Sequence, residues 1–385
     1  MPNFDGTDGQ DIFTGDFTGE LIRGFGGNDF LSGGGGDDQI DGGDGNDFLN
    51  GDDGWDVIDG GFGGDHISGG TGNDQLDGGP GFDVDDIHGD AGNDTIWGGD
   101  GGDILDGGAD VDTIMGEGGN DLILGGTEGD FLYGQEGADT LLGESGADHL
   151  EGGIGNDTLS GGSEGDELLG DAGDDHLNGD GGNDIILGGD NVDTIDGGDG
   201  DDILLGENGD DTINGGEGYD QISGGDGIDT ITDLLGTRGF VNGGTGNDDI
   251  TVATALNEVY GGVGNDTIRL NGGNNLVDAG TDNDVIIDNT NGVVAIEGGL
   301  GNDTFVHNNS GVTSISDAGG LDVLIFNVAD VTTLQFFQSG NDLIIADALD
   351  TNFQNYVDVV GFFDPANADT LEFVFDVNGN GIQIS

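Results

Sequence analysis

Aspartate recurs every nine residues over the first 232 positions of this chain, each time six residues into a glycine-rich stretch such as GGTGNDQLD, Gly69 to Asp77. The series runs Asp11, Asp29, Asp38, Asp47, Asp56, Asp65, Asp74 and Asp83, with Glu20 as its one exception. Past a two-residue insertion in GGPGFDVDDIH it resumes as Asp94, Asp103, Asp112, Asp121, Asp130, Asp139, Asp148, Asp157, Asp166, Asp175, Asp184, Asp193, Asp202, Asp211, Asp220 and Asp229. Later copies of the turn place Asp248, Asp266 and Asp303 at the same position. Cysteine is absent and only five histidines are present, so the donor set is oxygen alone. Carboxylates combined with backbone carbonyls select a hard cation, and a flexible many-oxygen cage suits Ca2+ better than strictly octahedral Mg2+.

The unit that positions each aspartate has two halves. Six residues, GGxGxD, supply a turn whose glycines accept positive φ, and three more, xUx with U apolar, give a short strand with one inward side chain. Each unit reverses the chain, so two units make an 18-residue coil in which strands n and n+2 lie parallel, about 4.8 Å apart. The fold class is therefore all-β, a parallel β-solenoid. Aspartate then recurs on one edge once per coil, beside carbonyls of the neighbouring turn. Such a column of carboxylates requires a cation. Counting from Gly6, 25 repeats keep glycine at position 1, and position 8 is Ile, Leu or Phe except in the insertion-bearing repeat, where Ile87 takes that role. Compositional bias alone would not lock residues to a phase, which separates this pattern from acidic disorder.

Composition narrows the partners. The chain carries 81 acidic against 3 basic residues, a formal net charge of −78. Arg23, Arg238 and Arg269 are scattered, so no patch receives phosphates and nucleic acid is not an expected partner. No cysteine means no disulfide, thiolate metal site or thiol nucleophile. The N-terminal MPNFDGTDGQ lacks the features of a cleaved secretory signal, and no apolar run reaches about 18 residues, so no transmembrane segment is expected.

The repeats GGTGNDQLD, GGDGNDFLN and GGIGNDTLS resemble the RTX, or haemolysin-type, calcium-binding nonapeptide. The resemblance implies a right-handed parallel β-roll with Ca2+ in its turns. It also implies type I secretion machinery as a partner, an uncleaved C-terminal export signal, and an extracellular or cell-surface location in a Gram-negative bacterium. Pairing turns n and n+2 gives roughly twenty ions. Position 4 departs from glycine at Thr18, Asp110, Glu128, Glu164 and Asn191. Glutamate tolerates the left-handed region poorly, so Glu128 and Glu164 are expected to weaken their sites or to add a carboxylate ligand. The regular roll covers 1–232. Residues 233–320 read as degenerate repeats with wider coils and fewer calcium sites. Residues 321–385, rich in aromatics, read as a β-rich C-terminal cap with the export signal near the end, covering the open strand edge and apolar core of the last coil.

Other motifs carry bland readings. Gly161 to Gly165 match GxSxG in letters but are positions 1 to 5 of a repeat, without a strand-to-helix elbow, and GxGxxG strings recur for the same reason. The histidines show no HExxH spacing. Asp376 to Gly381 resemble the opening of an EF-hand loop whose twelfth position falls beyond residue 385, so a β-turn is expected there. At position 9 every second repeat gives Trp97, Met115, Tyr133, Glu151, Leu169, Leu187 and Leu205, while the opposite face gives Asp106, Leu124, Leu142, Ser160, Asn178, Asp196 and Asn214. The apolar members either cover the adjacent turn or form an interaction stripe for a second copy or another partner. Because the repeats begin at Gly6, no catalytic domain is expected before them. The expected function is a secreted, non-enzymatic calcium-binding scaffold, a homo-oligomer or cell-surface component forming layers, matrix or filaments. The alternative is a calcium-dependent module for an extracellular polysaccharide.

Overall fold

Every second nonapeptide lies beside its predecessor in a parallel ladder. In the register of Phe30–Gly35 with Phe48–Asp53, Leu31 stands opposite Leu49 and Ser32 opposite Asn50. The computed structural model describes residues 3–236, 238–253, 256–308, 311–327, 333–339, 342–347, 356–360, 362, 373–376 and 378–383. Among them there is no helix, and none long and apolar enough to cross a membrane. The fold is a parallel β-roll, with odd and even repeats contributing to opposite sheets.

The strands are longer than the three residues the repeat suggests. Gln39–Asp44 is typical: it includes positions 1 to 3 of the next repeat, and its pairing with Val57–Phe62 continues through Gly43 opposite Gly61. The glycine at position 2 makes this extension feasible by adopting a left-handed backbone, as at Gly43 with φ 103°.

Two compact units make up the chain, Met1–Thr194 and Ile195–Ser385. In the first, one apolar side chain per repeat fills the interior. Ile22, Ile40, Ile58 and Leu76 line one sheet and Leu31, Leu49, Ile67 and Ile87 the other, all at most 2% exposed. Ile87 thus sits where the sequence reading puts it.

The loosening of the period at 233 falls within the second unit. There the coils do not gain length over the regular roll, with Asn257 facing Asn275 and Asp249 facing Thr267, but the strands become unequal: Arg238–Thr245, Leu256–Val263 and Asn274–Thr281 are eight-residue strands, alternating with four-residue ones such as Asp249–Val252 and Thr267–Leu270. The four-residue strands carry a second inward position. Val252 is buried beside Ile250, Leu270 beside Ile268, and Phe326 beside Leu324. Toward the C-terminus pairing becomes antiparallel. Leu334–Ser339 pairs with Asp342–Asp347, which pairs with Tyr356–Val359, itself parallel to Val312–Ser316. Phe373–Phe375 likewise continues the other sheet beside Val323–Phe326 and turns back into Gly381–Gln383. These returns occupy edges that a bare last coil would expose. Much of the tail expected to hold the export signal, including 363–372 and 384–385, lies outside the described residues.

Candidate calcium columns

The turns bring the periodic aspartates into two columns in the first unit. In one, the backbone N–H of Asp29 donates to Asp47 Oδ1 at 2.8 Å and that of Asp47 to Asp65 Oδ1 at 2.7 Å. The same link carries the column onward through Asp121, Asp139, Asp157 and Asp175 to Asp193. The other begins with Glu20, which donates to Asp38 Oδ1 at 2.5 Å, and passes through Asp56, Asp74, Asp94, Asp112, Asp130, Asp148 and Asp166 to Asp184. Asp11, at the start of the first column, is only half-buried, and its Oδ2 accepts from the N–H and hydroxyl of Thr7.

One carboxylate oxygen of each residue is thereby used. The other, Oδ2, is buried and accepts no hydrogen bond in Asp29, Asp38, Asp47, Asp56, Asp65, Asp74 and, in steps of nine, Asp94 through Asp175. Asp220, Asp229, Asp248, Asp266, Asp284 and Asp303 share this arrangement in the second unit. A buried carboxylate oxygen without a partner costs several kcal/mol, and its repetition at every turn requires a common cause.

That cause is visible at position 1. A methyl carbon on Gly69 would lie 2.6 Å from Asp74 Oδ2 and 2.9 Å from the Gly89 carbonyl oxygen; on Gly125 it would lie 2.7 Å from Asp130 Oδ2 and 3.0 Å from Gly143 O. Carboxylate and carbonyl oxygens of adjacent coils converge on a space that glycine leaves open. Hard-cation chemistry matches this donor set, and the converging oxygens fit Ca2+ with further carbonyls of the same turns.

Electrostatics point the same way. Burial pushes the carboxyl of Asp94 up to about 8, opposed by the N–H of Asp74 and reinforced by the like charges of Asp112 and Asp74. The same causes, burial first, raise Asp56, Asp130 and Asp166 to about 7 and Asp284 to about 8. Without a cation, each column resists its own charge.

Placement departs from expectation at several residues. Asp83 is exposed and belongs to the insertion loop; Asp85 is the buried member of the column, accepting from the Asp65 N–H at 2.7 Å and donating to Asp103 Oδ1 at 2.8 Å. The two extra residues precede the carboxylate, so the phase shifts before position 6. Glu128 and Glu164 adopt the left-handed backbone, φ 69° and 76°, while Asp130 and Asp166 stay buried. Their carboxylates face outward and accept from the hydroxyls of Thr127 and Ser163, so neither joins the column.

In the second unit one column runs from Asp211 through Asp229, Asp248, Asp266, Asp284 and Asp303 to Asp322. Asp284 and Asp322 were not in the sequence series because Ala279 and Asp317 replace glycine at position 1 of their repeats; the alternating apolar residues after each, VII and VLI, are the signal that marks them. Asp303, Asp317 and Asp322 have ligand atoms within 4.8 Å of one another, and burial with the neighbouring Asp322 pushes Asp317 up to about 8. The other column stops at Asp220, which Gly239 faces, followed by Asn257 and Asn275. Amide and glycine thus stand where the regular roll has a carboxylate, while the buried Asp233 points its Oδ2 toward Gly239.

Two further polar clusters lie outside the columns. His307, Asp288 and Thr313 are all buried, and Asp288 Oδ2 accepts from the Thr313 hydroxyl at 2.6 Å. His307 Nδ1 lies 3.2 Å from Asp288 Oδ2 and 2.9 Å from the Thr313 hydroxyl oxygen. At Asp376 the carboxylate accepts from the N–H groups of Asn378 and Asn380, closing the expected β-turn. The stripe residues Trp97, Met115, Tyr133, Leu169, Leu187 and Leu205 are half-buried, flanked by more exposed position-7 residues such as Phe131 and Ile185.

The model of the RTX calcium-binding nonapeptide repeat matches residues 23–159 in overlapping blocks, then 160–231 and 257–286, more than half of the chain. The chain belongs to the RTX calcium-binding repeat family. No curated protein shows a significant match to it. Within this RTX roll, Ca2+ would be held by Oδ2 of position 6 and carbonyls of the glycine turns, neutralising the columns and locking successive coils together.

Two substitutions separate the roles of a site. Asp74→Asn keeps an acceptor for the Asp56 N–H but removes the charge. Gly69→Ala keeps the charge and fills the oxygen-lined space, and Ala279 shows that the backbone accepts a methyl at this position. Both variants are expected to fold with Ca2+, to lose one or two ions by native mass spectrometry, and to exchange amide hydrogen faster only in adjoining coils. Solenoid coils contact their nearest neighbours, so a uniform loss of protection along the chain would show that the columns load as one unit.

Proposed function

We propose that this RTX protein is a secreted structural scaffold, exported unfolded by type I machinery through a C-terminal signal and folded outside the cell by Ca2+. The observation that carries this reading is the column of buried, unpartnered Oδ2 atoms: it makes the fold depend on an ion that is scarce in the cytosol and plentiful outside. About twenty ions would add about +40 to the −78 of the chain, leaving an acidic, hydrated surface. No catalytic role is assigned to the roll, and its function is mechanical: a Ca2+-set fold that associates into a layer, matrix or filament.

Association is assigned to the face of Trp97, Met115, Tyr133, Leu169 and Leu187. Trp97 lies beside Met115, Met115 beside Tyr133, and Leu169 beside Leu187, with Glu151 between Tyr133 and Leu169 as the one charged rung. Ca2+ both builds this ladder and lowers the repulsion between copies. Electron microscopy of the purified protein with and without Ca2+ tests the reading: filaments or sheets in Ca2+ support it, and monomers at millimolar Ca2+ and high protein concentration overturn it. In light scattering, replacing Tyr133, Leu169 and Leu187 together with Thr should abolish association while leaving the Ca2+-induced circular dichroism change intact. Equal assembly of that variant would reduce the ladder to turn cover. A monomer that instead gains affinity for an acidic polysaccharide in Ca2+ would favour the module reading.

A further inference from the structure

His66, Asp86 and His88 stand together on the outer face of one sheet, away from the calcium columns. The insertion at residues 79–84 lengthens one coil, so that His66 pairs with Asp86 and Ile67 with Ile87 at a spacing of 20 residues. His66 Nδ1 lies 2.9 Å from Asp86 Oδ2, and His88 Nε2 lies 3.0 Å from Asp86 Oδ1. The three donor atoms fall within 4.8 Å of one another.

We infer that these residues form a second kind of metal site, one for a borderline divalent transition ion of the Zn2+ class. Two imidazoles with one carboxylate prefer such an ion over Ca2+, which takes oxygen. Ligands bound at about 2.0–2.1 Å around one ion lie roughly 3.3 Å apart; each imidazole is 2.9–3.0 Å from its own oxygen of Asp86, and small side-chain adjustments bring one atom from each residue to an ion. The site is also oriented from behind. On its other side His88 Nδ1 faces Asp106 Oδ2 at 3.4 Å, an ion-pair distance from which that carboxylate can bias the imidazole toward the tautomer that binds metal. The Phe48 ring packs on His66 with centroids 5.5 Å apart, holding that imidazole from the opposite side. All three donors are partly exposed, leaving room for an ion to enter and keep water as its fourth ligand. Asp106 is a positioning residue and does not itself bind the ion.

The test uses the full chain folded in millimolar Ca2+. Zn2+ titrated by calorimetry should bind with one tight equivalent, and Cu2+ in its place should show electron paramagnetic resonance hyperfine coupling from two imidazole nitrogens. His66→Ala and His88→Ala should each weaken Zn2+ binding at least about tenfold and remove one nitrogen from the Cu2+ spectrum. Asp106→Asn should weaken it by about tenfold while keeping both nitrogens. His149→Ala should change neither, and all variants should keep the Ca2+-folded spectrum. Zn2+ binding unchanged in His66→Ala and His88→Ala, or Cu2+ coordinated without nitrogen coupling, overturns the assignment. Either failure leaves the calcium columns untouched, since they contain no histidine.

Discussion

In excess chelator at pH 7.5 the chain is expected to give the circular dichroism spectrum of an unfolded polypeptide, and to gain its β signal as Ca2+ rises through about 0.1–1 mM, the range of extracellular calcium modules. The interior explains why. Each nine-residue repeat of the first unit buries a single Ile or Leu, too little apolar surface to offset the ordering of its glycine-rich turn. Each repeat also buries a carboxylate whose second oxygen has no partner in most coils. Binding to the native state alone shifts folding by mass action, so the ion's affinity adds directly to stability. Persistence of the β spectrum in chelator at this pH would mean that the strand ladders suffice without the ion.

Acid should partly replace calcium. The position-6 carboxyls of Asp56, Asp94, Asp112, Asp121, Asp130 and Asp175 are raised from an ordinary 3.8 to about 7 or 8, with burial as the largest cause. Between pH 3.8 and these values the metal-free fold holds more protons than the unfolded chain. Its stability is therefore greatest at or below about pH 3.8 and falls progressively as pH rises to the folded values of about 7 to 8. In chelator, β signal is expected at pH 5 and not at pH 8, with a midpoint between 6 and 8. Working at pH 5 stays above the sequence pI of about 4.1, where solubility falls. Protons and Ca2+ occupy the same oxygens of the folded state and either one stabilises it, so the Ca2+ needed for half of the β signal should fall as pH drops from 8 to 6. Identical metal-free spectra at pH 5 and pH 8 would show that charge in the columns does not limit folding.

Both results rest on features legible in the sequence to different degrees. The nine-residue phase of Gly, Asp and one apolar residue by itself determined a parallel roll, its inward side chains such as Leu49 and Leu132, and the oxygen-only character of the sites, because a strict period leaves few ways to stack equal units. The looser period after residue 233, with alternating Val, Ile and Thr, marks where strands of eight and four residues replace equal ones. Register was decided only by tertiary structure. Whether Asp83 or Asp85 enters the column depends on where the turn absorbs two extra residues, and the local sequence GFDVDD offers carboxylates at both places. The outward turn of Glu128 and Glu164 depends on hydroxyls at Thr127 and Ser163 and on a backbone that takes φ near 70° when both ladders hold it. Asp284 and Asp322 join a column through their neighbours one coil away, despite a position 1 that breaks the motif. His66 and His88, 22 residues apart and without a recognised spacing, meet Asp86 because the same insertion resets one coil. Spacing along the chain fixes what each turn contains, while contacts between coils depend on the length of every coil between them, and one local insertion changes that length.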